Sequence, residues 1–123
     1  MELVYATEKL EEVCTKEKVA IRFFNGDNQL AVKLLSRVNA LKQAETLRDI
    51  VVQKQFHFHK LGNKGKRNLE GCFAMDVKSR ANPWRVILQS LDDQGRTFIP
   101  CNIDEIAGTV KVVEIMEVSK HYE

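Results

Sequence analysis

The chain predicts an α+β domain, with an N-terminal strand and helices packed on one face of a mostly antiparallel sheet of about four strands. Three observations carry that expectation. Leu30, Leu34, Val38 and Leu41 recur at helical spacing in the first half. Beyond residue 54 the apolar period changes to two. The order runs from one strand through helices to three or four strands, with no internal repeat and no low-complexity linker. At 123 residues the chain is expected to be a single domain spanning 1–123.

Each element follows from its residues. Glu2 to Ala6 leans apolar and reads as a first strand. Thr7 can cap a helix that begins near Glu8 and places Leu10 and Val13 or Cys14 on one face. Val19 to Phe24 is β-branched and aromatic but brief, and fits a strand or a packed loop. Asn25-Gly26-Asp27-Asn28 reads as a turn and a cap. The helix that follows carries the stripe named above, widened by Ala31 and Leu35, with Lys33, Arg37 and Lys42 off it. Leu47, Ile50 and Val51 imply a shorter helix that closes over the sheet.

Phe56-His57-Phe58-His59 alternates, which puts the phenyl rings on one face of a strand and the imidazoles on the other. Lys60 to Asn68 is a loop by its glycines and charge. Cys72 to Val77 and Trp84 to Leu91 are strands on either side of the turn Ala81-Asn82-Pro83, with Arg85, Ile87 and Gln89 sharing a face. Asp92 to Gly95 is a turn, and Phe98 to Ile106 an irregular crossing. Val110 to Val118 is apolar on both parities, the pattern of a strand buried on both faces.

Composition is that of an ordinary globular protein, 44% apolar and 29% charged. No apolar stretch reaches the ~18 residues of a membrane span, and the first residues lack the basic and apolar regions of a signal peptide. Cys14, Cys72 and Cys101 form no Cys-x-x-Cys pair, so reduced thiols in a cytoplasm are expected rather than a zinc knuckle or disulfide framework. The net charge of +2 is unevenly spread. Residues 54–90 hold 8 Lys/Arg against 2 Asp/Glu, a net +6, and residues 91–123 hold 3 against 7, a net −4. The basic stretch is either a phosphate-binding surface or a loop kept soluble by its lysines.

Cleaving RNA without a metal takes a base for the ribose 2′-hydroxyl, an acid for the departing 5′-oxygen, and cations for the charge on phosphorus. Histidine suits the first two roles and arginine the third. The histidines are His57, His59 and His121, and Arg85 opens the strand after Trp84. Plainer readings stand beside these. His57 reads as a half-buried polar residue without a role. His57, His59 and His121 could together bind a metal, but no carboxylate or cysteine lies at a companion spacing, and no metal or cofactor is expected. Arg85 could pair with Asp76 or Glu114 across neighbouring strands. Tyr122 could be a packing residue, and Lys64, Lys66 and Arg67 a solvated loop.

Together these segments resemble the RelE/HigB-like toxins of bacterial toxin–antitoxin systems, in the RelE/ParE superfamily. The resemblance runs through Ala31-Val32-Lys33-Leu34-Leu35, Leu41, Ala44 to Asp49, Phe58-His59-Lys60-Leu61, Leu69 to Val77, Trp84-Arg85-Val86-Ile87, and Val110 to Val118 before His121-Tyr122. It implies a RelE-like fold and a toxin that binds the ribosome and cuts mRNA without a metal. The 2′-hydroxyl would attack its own phosphate, leaving a 2′,3′-cyclic phosphate and a 5′-hydroxyl. Carried over by position, Arg85 would stabilise the transition state, and His121 would be the leading acid or base with Tyr122 stacking or assisting. His59 and Lys60 would line the site, while Lys64, Lys66 and Arg67 would hold RNA backbone. A helix-turn-helix antitoxin is the implied partner. The chain departs from the family in its long basic loop from Gly62 to Asn68, in Asp92 to Gly108, and in Glu123 after the His-Tyr pair. The competing functions are a ParE-like inhibitor of DNA gyrase and a non-catalytic RNA-binding regulatory module.

Overall fold

Thr7 and Asp27 set the helical layer. Each accepts a hydrogen bond from the backbone three residues on, Leu10 N and Leu30 N, both at 3.1 Å, which satisfies a donor that a helix start leaves open. The computed structural model describes residues 1–61, 71–98 and 101–120. Its elements are β1 (Glu2–Tyr5), α1 (Glu8–Thr15), α2 (Glu17–Phe23), α3 (Asn28–Gln43), α4 (Arg48–Val51), β2 (His59–Lys60), β3 (Cys72–Asp76), β4 (Arg85–Leu91), α5 (Ile103–Ile106) and β5 (Val112–Ser119). A single 3-10 turn, Lys54–Phe56, joins α4 to β2. The chain is α+β, as its periodicity predicts.

Among the described residues the sheet has five strands rather than about four, in the order β1-β5-β4-β3-β2. At one edge β2 is only two residues long. β1 pairs with β5 in parallel, and the other pairings are antiparallel. The helices bury one face. Leu10, Val13, Leu30, Leu34, Val38, Leu41, Leu47 and Ile50 meet Met75, Val77, Val86, Leu88, Val113, Ile115 and Val118 in the main core. Removing this much apolar surface from water is the main drive to fold. The opposite face carries a smaller cluster of Leu61, Cys72, Ala74 and Ile87, with Met116 against it.

Three readings of the sequence are corrected here. Val19 to Phe23 lies in the helix α2, with Phe24 as its C-cap before Asn25 and Gly26 take left-handed backbone at φ +55° and +89°. Packing of Val19, Ala20 and Phe24 into the core outweighs their β-leaning composition. Residues 56–59 do not form an alternating strand. Phe56 ends the 3-10 turn, His57 is left-handed (φ +46°, ψ +47°), and pairing starts only at His59. β5 is buried on one face, not two. A register shift opposite Ile87/Leu88 lets Val113, Ile115 and Val118 all face the helices, so apolar residues on both parities share one side. The strands buried along almost their whole length are β3 and β4.

Candidate functional site

Among the described residues no helix covers the second face of the sheet, and this helix-free face is laid out in rows by the strand register. One row runs Asp76–Arg85–Ser119, the next His59–Ala74–Ile87–Glu117, and a third Cys72–Gln89–Glu114. Paired residues point to the same side, so Asp76, Arg85, His59 and Glu117 share this face. The expected grouping of Arg85, Ile87 and Gln89 on one face holds, because β3 and β4 pair without interruption.

Asp76 is the hub. Its carboxylate is nearly inaccessible, at 1% exposure. Arg85 Nε lies 3.2 Å from Asp76 Oδ1, and His57 Nδ1 is 3.2 Å from the same oxygen. The Arg85 Nε–H is not aligned for a hydrogen bond to that oxygen, so their contact is ionic. The remaining guanidinium donors go to backbone: Nη1 to the carbonyls of Asn82 and Trp84, Nη2 to that of Arg80. Arg37 reaches from α3 and donates through Nε to the Asp76 carbonyl at 3.1 Å, with its guanidinium carbon 4.7 Å from the Phe56 ring centre. Burial pushes the Arg37 guanidinium down, and the Asp76 charge opposes that.

Arg85 is thus a buried clasp. It fixes the turn 79–84 and neutralises Asp76, and the cross-strand pairing with Asp76 foreseen in the sequence is the arrangement present. At 6% exposure its guanidinium would have to leave these partners to reach a phosphate. The register sets Arg85 opposite Ser119, two residues before His121. His121, Tyr122, Lys64, Lys66 and Arg67 lie outside the described residues.

His59 stands differently. It is half-buried on the edge strand β2. Its Nδ1 is 2.8 Å from the His57 carbonyl oxygen. A carbonyl only accepts, so Nδ1 carries the hydrogen and Nε2 is the basic nitrogen of the neutral ring. The two imidazoles lie against each other, centroids 4.5 Å apart and planes 30° from parallel. Lys60 is exposed but pairs with Phe73, so the pleat turns it to the other side of the edge from His59. His57, read from sequence as a residue without a role, joins Asp76 to His59. What hid it is its left-handed backbone, which no period reveals; the presence of two imidazoles one residue apart was the available signal.

The β5 end of this face is acidic. Burial pushes the Cys72 thiol up, and Cys101, Glu114 and Glu117 add to the shift. The Cys101 thiol is also raised by burial. All three cysteines are unpaired. Among the described residues no group of three His, Cys, Asp or Glu side chains is placed to hold a metal ion, and no helix is long and apolar enough to cross a membrane. No protein-family model and no curated protein sequence matches the chain.

Proposed function

We propose that this protein is a RelE/HigB-like toxin, a ribosome-dependent mRNA endoribonuclease that cuts by attack of the ribose 2′-hydroxyl on its own phosphate. The observation that carries the reading is His59: an edge-strand imidazole on the helix-free face, with Nδ1 bonded to the His57 carbonyl and Nε2 as its basic nitrogen. A neutral imidazole so oriented suits proton abstraction near neutral pH. The α+β layering, with one sheet face left without helices, and the net charge of +6 over residues 54–90 agree with an RNA substrate.

Within this reading the roles divide by location. His59 accepts the proton from the 2′-hydroxyl, and His121 with Tyr122 serves the leaving oxygen from the chain end that follows β5. Lys60, Lys64, Lys66 and Arg67 bind RNA or ribosomal backbone. The nucleic acid runs along the β2–β3 side, away from Glu114 and toward the exposed Arg80. Arg85 contributes by holding Asp76 rather than by touching phosphate. A helix-turn-helix antitoxin is the partner that silences the activity.

The test is induction followed by mapping of RNA ends, with single-turnover cleavage by purified protein on programmed ribosomes. The expected result is growth arrest, 5′-hydroxyl and 2′,3′-cyclic phosphate ends, and a loss of about 10²-fold or more in His59→Ala and in His121→Ala. Growth arrest with gyrase-linked DNA breaks and intact mRNA would assign the ParE-like alternative. RNA binding without cleavage would leave only the regulatory module.

A further inference from the structure

We infer that His57 is a positioning residue, which locks His59 in the tautomer that presents Nε2 as base. The inference deepens the nuclease reading and, for its catalytic consequence, rests on it. Four features converge on this one residue. His57 takes left-handed backbone, with φ +46°, although it is not glycine. That conformation disfavours residues bearing a Cβ and persists where surrounding contacts fix it. Its Nδ1 is tied to the buried Asp76 carboxylate at 3.2 Å. Its carbonyl accepts the His59 Nδ1–H at 2.8 Å. Its ring packs against the His59 ring at 4.5 Å between centroids, with the planes tilted by 30°.

These features form one chain of support. Arg85 and Arg37 fix the end of β3, the first through the Asp76 carboxylate and the second through the Asp76 carbonyl. Asp76 holds the His57 imidazole. That grip turns the backbone of residue 57 so that its carbonyl faces the imidazole two residues later. A histidine at an edge has two neutral tautomers, and a catalytic base must present the correct one. The carbonyl of residue 57 makes that choice for His59. This also gives the buried Asp76–Arg85 pair a purpose beyond stability, since such a pair adds little to folding over apolar residues of equal volume.

The experiment reads the tautomer directly by two-bond ¹H–¹⁵N correlation of ¹⁵N-histidine protein without RNA, beside single-turnover cleavage. In the wild type, neutral His59 is expected as the Nδ1–H form; finding the Nε2–H form overturns the inference, and no variant is needed for that result. His57→Val, whose β-branched side chain resists left-handed backbone, is expected to give mixed tautomers and to cut about tenfold slower or worse, a share of what general acid–base groups contribute. His57→Asn tolerates left-handed backbone and can still donate to Asp76, and is expected to restore the Nδ1–H form and most of the rate. His57→Gly keeps the backbone freedom without the ring, and a retained tautomer there assigns the effect to the carbonyl rather than to ring contact. An unchanged tautomer in a folded His57→Val variant overturns the inference. Absence of cleavage by the wild type would instead sink the nuclease reading, and the tautomer result would still decide the role of His57.

Discussion

The two faces of the sheet are built to different rules. The helix-covered face is apolar from Leu34 and Leu41 on α3 to Met75, Val86, Leu88 and Ile115 beneath them, broken by the buried hydroxyls of Ser90 and Tyr5. The helix-free face is apolar only in a small patch around Ala74 and Ile87. Around that patch stand a buried ion pair, an imidazole pair and two carboxylates. One face carries the folding free energy through area removed from water. The other is held in place by a few directional contacts and is where polar groups can be arranged for chemistry. The lesson is that a buried charge means different things on the two sides: Asp76 is no part of the main core, yet α3, β4 and the segment before β2 are all tied to it.

The largest expected effect breaks the comparison at that hub. Asp76→Ala leaves the Arg85 guanidinium buried with no counter-charge, which costs about 3–5 kcal/mol. Equilibrium unfolding in urea measures it; a loss under about 1 kcal/mol would mean the pair behaves as a surface contact. The double variant Asp76→Leu with Arg85→Met is expected to recover most of the stability, because an apolar pair of similar volume often replaces a buried ion pair without loss. It should still fail to hold His57, so stability and His59 geometry come apart in one protein.

Next in size is the helix-covered face. Leu34 is wholly buried in α3. Leu34→Ala removes contacts and leaves a cavity, at a cost of about 3 kcal/mol. The sharper observation is local. This variant should keep the His59 imidazole resonances at their wild-type positions, whereas Asp76→Ala should move them. Equal shifts in both variants would show that the faces are coupled and that the division drawn above is wrong.

How much of this was legible depended on whether a local rule and the tertiary environment agreed. α3 was legible because its stripe runs unbroken from Leu30 to Leu41 and a capping carboxylate precedes it. The facing of Arg85, Ile87 and Gln89 was legible because β3 and β4 pair without a shift. The shared side of Val113, Ile115 and Val118 was not, since the irregularity near Met116 and Glu117 changes parity without leaving a mark in composition. α2 was lost because seven residues give too short a window for a 3.6 period. The site was read in part. The Asp76–Arg85 pairing was legible as a cross-strand contact, whereas the two imidazoles come together through the left-handed backbone at His57 and not through the strand alternation expected for residues 56–59. The role of Asp76 as hub was not legible, because it depends on Arg37 arriving from a helix 39 positions earlier and on the backbone of a single histidine.

The smallest effect separates the faces by pH. Cys14 is buried among the helices, and burial pushes its thiol up to about 12, with Lys42 opposing only in part. In the unfolded chain a thiol ionises near about 8.5. Between those values the unfolded chain has released a proton that the folded one keeps, so it binds fewer protons and stability falls as pH rises. The contribution is complete below the unfolded value and is lost progressively up to the folded one. Tyr5 is also raised to about 12 by burial, but an unfolded tyrosine titrates near about 10 and enters later. The window from pH 8 to about 9.5 therefore isolates the thiols, and Cys14 should account for a fall of about 1 kcal/mol across it. Cys14→Ala should flatten that slope, and Cys101→Ala, at a half-exposed position, should change it less. Urea midpoints at the two pH values decide the matter: equal slopes in wild type and Cys14→Ala would mean that the helix-covered core admits water to residue 14 before the protein unfolds.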